Sequence, residues 1–252
     1  MRRWSRRPEP RGFALLEIVI ALAILAVLLA SLAMPLAAQV QLRRYDETRR
    51  LLAEAHDAVL GFAAAQGRLP CPATAASAGL EAFATGGDAS NGACASFAGF
   101  VPGASLGLGG LDPQGIARDA WASEGNRVRY AVDGGTVNGV ANALTRTNGM
   151  QMATLPGIGA APHHLYVCRA VAPGSTDCGP ASNQLTRRAA FVLLSSGPNG
   201  ALEPAAGSDE ARNAAATTMF VSRDTAPDFD DLVTWGSIHE VVNRLVVAGR
   251  LP

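Results

Sequence analysis

The sequence predicts an α+β fold in which a long N-terminal transmembrane helix packs on an antiparallel sheet, with a further helix at the C-terminal end. Three observations predict this fold. Residues 18–42 form a run of 25 positions without a charged side chain. After residue 126, short apolar segments alternate with turn residues, and no long helical pattern separates them. Residues 237–249 contain the start and stop signals of one amphipathic helix.

The composition excludes several classes of protein. All 21 basic residues are arginines, so the chain has no lysine for a Schiff base and no phosphate-binding loop that ends in Gly-Lys. The net charge is zero, but residues 1–50 carry nine arginines against four acidic residues. Because this basic excess lies on both sides of one apolar stretch, it favours a membrane surface as the partner and argues against nucleic acid.

The first 66 residues are predicted to be a leader peptide, residues 1–12, followed by one helix, residues 13–66. The leader contains five arginines and one glutamate. The apolar run behind it exceeds the roughly 20 residues that cross a bilayer. Under the positive-inside rule the leader stays in the cytoplasm, which predicts a single-pass inner-membrane protein with a periplasmic C-terminal domain. An amphipathic pattern then extends the helix to Gly67 and Pro70.

Glu17 is the only acidic residue between positions 10 and 45. A carboxylate in a membrane-inserted helix costs about 2.5–3.5 kcal/mol, and less near the interface, where it can reach the headgroups. A cut between Gly12 and Phe13 would create an α-amino group, which is mostly charged at neutral pH. A neighbouring subunit could place this amine on the Glu17 carboxylate, so either an interfacial position or an intersubunit ion pair would satisfy it.

The segment Gly12-Phe13-Ala14-Leu15-Leu16-Glu17 resembles the processing site of type IV pilins and type II secretion pseudopilins. The resemblance implies that a prepilin peptidase cleaves after Gly12 and methylates Phe13, and that Glu17 acts in filament assembly. Ala14 stands where the family usually has Thr or Ser. The implied function is structural and not enzymatic: the protein would join other pilin or pseudopilin subunits, first in inner-membrane lipid and then in a filament that can reach the cell surface. The choice between pilus and pseudopilus, and between major and minor subunit, stays open.

An ordinary secretory signal peptide is the alternative. Ser31-Leu32-Ala33 would be its cleavage site, and the released product would be a secreted binding protein or a hydrolase. The apolar run is longer than the 7–15 residues of a signal core, and Glu17 has no function in a segment that is removed. A third possibility is a membrane-anchored receptor that does not polymerise.

Residues 67–252 are predicted to form the periplasmic globular domain. Strand patterns occur at 127–132, 164–171, 189–195, 217–222 and 231–235. Ser237 and Glu240 form a capping box ahead of the last helix, and Gly249 stands at its end. The domain is longer than the compact domains of the family, so residues 71–118 and 136–163 are candidate insertions.

Two further segments carry a resemblance to major pseudopilins. Asp119-Ala-Trp121, followed by Tyr130, looks like their Asp-x-Trp…Tyr segment, and residues 194–200 look like their Ser-x-Gly segment. Major pseudopilins bind calcium in the loop that follows, and the corresponding candidates here are Asn199, Asp209, Asp224 and Asp228. Because their spacing does not match closely, we predict neither a metal nor a cofactor.

The four cysteines all follow the membrane segment, which predicts an oxidising compartment. Of the three possible connectivities we favour Cys71–Cys94 with Cys168–Cys178, because each pair closes a short local loop. A zinc site is the alternative, but the sequence has no Cys-x-x-Cys, and its one adjacent histidine pair is His163-His164. A Gly-x-Ser-x-Gly elbow is also missing, so no motif indicates a hydrolase.

Overall fold

The computed structural model describes residues 15–121, 126–172, 174–200, 202–215 and 218–252. The chain divides into two compact units, Met1–Arg43 and Arg44–Pro252, and the division falls within helix α1, Leu15–Gln66. Because the described residues begin at Leu15, the predicted leader, residues 1–12, lies outside them. In the described part of the chain, no helix combines the length and the apolar character that a membrane crossing requires.

The second unit contains both helices and strands, as the sequence predicts. Its strands are β1 (Ala98–Phe100), β2 (Arg129–Val132), β3 (Leu165–Cys168), β4 (Gln184–Ser195), β5 (Met219–Val221) and β6 (Leu232–Ser237). Its further helices are α2 (Gly103–Leu106), α3 (Gly149–Ala153), α4 (Leu155–Ala160), α5 (Asp209–Ala214) and α6 (Ile238–Val247). Five of the strands fall on the five predicted segments, whereas β1 and the first half of β4 have no counterpart among them.

The six strands form one sheet in the order β1-β2-β4-β3-β5, with β6 on the other edge of β4. Every pair is antiparallel except β3 with β5, which is parallel. The prediction of an antiparallel sheet is therefore wrong at this one pair. Because β2 and β3 occupy one edge of β4 and β6 occupies the other, no edge of β4 is left for β5, which pairs with the outer edge of β3.

Strands β2 and β3 lie end to end along the same edge of β4. Val132 at the end of β2 faces Phe191, and Leu165 at the start of β3 faces Ala189. Residues 133–164 leave the sheet at this junction and return to it, and this segment contains the candidate insertion 136–163. A hydrogen bond of 2.5 Å between His164 Nδ1 and Asp133 Oδ2 closes its base.

The core of the second unit lies between α1, the sheet and α6. Leu52 and Val59 of α1, Phe191 of β4 and Leu245 of α6 belong to one buried cluster. The excursion 133–164 adds residues to the same cluster, among them Leu144, Met150 and Ile158. The excursion is thus part of the folded domain.

The ends of the two long helical segments follow their sequence signals. Helix α1 ends at Gln66, and Gly67 takes a left-handed φ of 70°. At α6, the N–H of Glu240 donates to Ser237 Oγ at 3.1 Å, which is half of the predicted capping box. Gly249, with φ of 69°, follows the end of α6.

Two disulfides are present, Cys71–Cys94 and Cys168–Cys178, and they are the two pairs that the sequence favours. The first closes a loop beside the end of α1. There Arg68 donates to both carboxylate oxygens of Glu81, at 2.6 and 2.9 Å, and both side chains are largely buried. The second joins the end of β3 to the segment that leads into β4. With both pairs formed, no cysteine of the described residues is free for a zinc site.

Candidate functional site

The first half of α1 carries an apolar surface. Leu15 and Leu16 are 81% and 69% exposed, and the apolar side chains that follow are at least half exposed or close to it: Ile18, Val19, Ile20, Leu22, Ile24, Leu25, Val27 and Leu28. Glu17 lies in the first turn of the helix, where a negative charge favours the helix dipole, and it is exposed. Contiguous apolar surface of this kind is typical of a face that contacts lipid or another protein. Gly12 and Phe13 lie outside the described residues.

In the second unit, two distant segments meet at a buried network of hydrogen bonds. Ser195 Oγ donates to Asp119 Oδ2 at 2.6 Å, and Asn126 Nδ2 donates to the same oxygen at 3.3 Å. The N–H of Trp121 donates to Asp119 Oδ1 at 2.9 Å. The structure thus brings together the Asp-x-Trp and Ser-x-Gly segments that the sequence analysis singled out separately.

The same network is attached to the second half of α1. The ring of Trp121 packs edge-on against Tyr45, with centroids 5.1 Å apart. The N–H of Ala120 donates to Oγ1 of Thr48, whose side chain is buried, at 3.2 Å. Residues 119–121 therefore connect α1 to the end of β4.

Residues 196–231 join β4 to β6 and include α5 and β5. This segment, called the loop below, folds back on the network. Gly197 has a left-handed φ of 62°, and a Cβ there would lie 2.3 Å from the carbonyl oxygen of Asp230. Only glycine permits this approach. Glu210 secures the same place, because it accepts from Asn199 Nδ2 at 3.2 and 3.1 Å and from the N–H of Asp230 at 2.9 Å.

Three carboxylates of this loop lie close together. Glu210, Asp230 and Asp231 each place an oxygen within 4.8 Å of the other two. Burial, reinforced by the charge of Glu210, raises the pKa of Asp230 to about 6. Burial also raises the pKa of Asp231 to about 7, although Asn213 Nδ2 donates to it at 2.7 Å. Oδ1 of Asp230 is buried and has no hydrogen-bond partner among the described residues.

The chemistry of this carboxylate cluster suits a proton or a hard cation such as Ca²⁺, which prefers oxygen ligands. In the described part of the chain it is the one group of acidic, histidine or cysteine side chains spaced closely enough to hold a metal. The half-buried Arg129 lies near Asp231 and supplies some of the opposing charge.

The calcium candidates from the sequence have other partners. Asp209 Oδ2 and Asp228 Oδ2 accept from Arg223, at 2.9 and 2.8 Å. Asn199 contacts Glu210, and Asp224 is exposed. The structure therefore does not assemble these four residues around one point.

Sequence reasoning missed Glu210 and Arg223. Ser208 was the available signal, because it caps α5 by accepting from the N–H of Ala211 at 3.1 Å. A helix that starts after Ser208 turns the side chains of Asp209 and Glu210 about 100° apart. Asp209 then contacts Arg223, while Glu210 faces Asn199 and Asp230.

Comparison with known families gives one match. Residues 10–33 match the family model described as "Prokaryotic N-terminal methylation motif". This segment is the signature of type IV pilin-like, prepilin-type proteins. The chain carries the prepilin signature. The match includes Gly12, Phe13 and Glu17, and the family resemblance stated from the sequence is confirmed.

The motif implies processing by a prepilin peptidase and association with other pilin subunits. The comparison with curated proteins gives no significant match. The comparison with solved structures gives none either.

Proposed function

We propose that this protein is a structural subunit of a type II secretion pseudopilus or a type IV pilus. A prepilin peptidase removes residues 1–12 and methylates Phe13. Before assembly, the subunit is anchored in the inner membrane with its globular domain in the periplasm. Its function is assembly, without catalysis. The observation that carries the proposal is the methylation motif at residues 10–33, together with the exposed side chains of residues 15–28 in α1, which are apolar apart from Glu17.

Assembly requires that Glu17 is neutralised. When the subunit packs among other apolar helices, an unpaired carboxylate carries a desolvation cost of several kcal/mol. The methylated amine of Phe13 in a neighbouring subunit is a cation at neutral pH, and the cut at Gly12 creates it. One processing event therefore supplies both a mature helix and the partner for Glu17.

The N-terminus of the mature protein tests processing. We expect protein purified from native envelopes to begin at N-methylated Phe13, as measured by N-terminal sequencing and intact mass. A Gly12→Glu variant should keep its leader. A mature chain that begins at Met34 would show a signal-peptide cut after Ala33 and would contradict the proposal.

A Glu17→Gln variant tests assembly. We expect normal membrane insertion and normal processing, but a strong loss of subunit from sheared or secreted filaments, measured by immunoblot of the two fractions. Glu47→Gln, an exposed acid farther along α1, is the matched control and should assemble like the unmodified protein. Equal filament incorporation by both variants would remove the function assigned to Glu17.

A further inference from the structure

The loop 196–231 occupies the place where the resemblance to major pseudopilins implies a bound calcium ion. Three of the four residues that the resemblance would assign to calcium are engaged with other side chains. Asp209 and Asp228 accept hydrogen bonds from Arg223. Asn199 Nδ2 donates to both carboxylate oxygens of Glu210. The residues that the sequence offers for a calcium site therefore do not fit one.

Arg223 stands between the two acids that a cation would have joined. It lies two residues after the end of β5, with Asp209 fourteen residues before it and Asp228 five residues after it. Its Nε donates to Asp209 and its Nη2 donates to Asp228, so one guanidinium joins the start of α5 to the turn before β6. Charge-assisted bonds of this length are about twice as strong as neutral ones.

The surroundings of Arg223 hold the guanidinium in place. Its carbon Cζ lies 4.5 Å from the ring centroid of Phe229, which is buried, in a cation–π contact. The Arg223 side chain is 24% exposed and that of Asp209 is 22% exposed, so solvent screens this pair only partly. Hydrogen bonds from Arg223 lower the pKa of Asp228, which keeps that carboxylate ionised.

We propose that Arg223 is the internal cation of this loop: its guanidinium joins Asp209 and Asp228 in place of the calcium ion that the resemblance would assign to them, and these two acids hold the loop without a divalent cation between them. The carboxylates of Glu210, Asp230 and Asp231 form a separate cluster that includes neither acid. The inference does not depend on the proposed function, because it concerns the stability of one domain whether or not it enters a filament.

Thermal unfolding of the full-length protein in detergent, monitored by near-UV circular dichroism, tests the proposal. Any change of Tm between excess chelator and millimolar CaCl₂ should be the same in Asp228→Asn as in the unmodified protein, because a cation held by Glu210, Asp230 and Asp231 would not involve Asp228. Arg223→Gln should lower Tm by about 3–6 °C. Arg223→Lys should give an intermediate loss, since it keeps the charge but cannot donate to both acids in the same geometry.

Two controls keep the result interpretable. Arg169→Gln removes an exposed arginine that follows β3 and should leave Tm unchanged. Asp228→Asn removes the negative charge from one of the two bonds, at an acid that is 75% exposed, so it should fold even if Arg223→Gln does not, and it should lower Tm by less. A chelator-dependent change of Tm that Asp228→Asn abolishes, or an Arg223→Gln variant as stable as the unmodified protein, would overturn the proposal.

Discussion

Ser195 and Asp119 are 76 residues apart in sequence, and their hydrogen bond is buried. Ser195→Ala removes the 2.6 Å hydrogen bond to the Asp119 carboxylate, and a lost bond to a buried charged group costs about 1.5–3 kcal/mol. We expect a loss of that size in urea unfolding. Ser196→Ala, at the half-buried neighbouring position, is the control and should change stability by less than about 0.5 kcal/mol. Equal losses for both variants would show that the Asp119 contact is not the cause.

Asp231 makes the stability of the domain depend on pH. Its pKa of about 7 in the folded protein lies above the ordinary value of 3.8 that applies to the unfolded chain. The folded state therefore binds more protons between these two values, and stability falls as the pH rises from about 4 to about 7. The full difference is on the order of 2–4 kcal/mol.

Asp231→Asn isolates this effect, because the amide cannot ionise and can still accept from Asn213. We expect its free energy of unfolding to change less between pH 5 and pH 8 than that of the unmodified protein. Asp224→Asn, in an exposed part of the same loop, should follow the unmodified protein at every pH. Parallel pH profiles for the unmodified protein and Asp231→Asn would contradict the assignment.

At the scale of elements, the C-terminal end of α1 depends on Arg250. Its Nε donates to the carbonyl of Ala64 at 3.3 Å, and its Nη2 donates to the carbonyl of Ala65. These are carbonyls of the last turn, which have no partner within the helix, and a positive charge there also favours the helix dipole. Arg250→Gln should lower the free energy of unfolding by about 1 kcal/mol and should speed amide hydrogen exchange in the last turn of α1. Unchanged exchange in that turn would argue against this capping.

The two disulfides should differ in their effect on stability. Cys71–Cys94 spans 23 residues and Cys168–Cys178 spans 10. In the chain-entropy model, closing these loops stabilises the folded state by about 3.4 and about 2.7 kcal/mol, respectively. We expect the double serine variant of Cys71 and Cys94 to be the less stable one in urea unfolding, since it also frees the loop that holds Arg68 and Glu81. The reverse order would show that strain or residual structure outweighs loop length.

The elements also show what local sequence patterns can predict. Helix α6 was predicted correctly because its capping serine, apolar stripe and terminal glycine all lie within residues 237–249. Strand β1 was missed because Ala98-Gly99-Phe100 is too short to show alternation, and its pairing with β2 is a tertiary choice. The parallel β3–β5 pair depends on which edges of β4 are already filled, and no local pattern encodes that.

At the scale of the whole molecule, the two sites differ in how well the sequence predicts them. The prepilin segment is contiguous, so leader, cut and carboxylate can all be found within residues 1–17. The loop site is assembled from residues 119–121, Asn126, Ser195, the described parts of 196–231 and the second half of α1, and its side-chain contacts depend on the turn of α5. Sequence analysis found the acidic segments but could not decide which carboxylate faces Arg223 and which faces Asn199.

Because β2 and β3 lie end to end along β4, the segment that joins them lies outside the sheet. With respect to hydrogen bonding, β4 has one nearly continuous neighbour, and the 32 residues from Asp133 to His164 branch from a single point beside it. Insertions at the exposed turns of this branch would leave the register of the strands fixed, whereas its buried Leu144, Met150 and Ile158 are tied to the core. The branch can therefore change what the domain presents to solvent only where it is exposed.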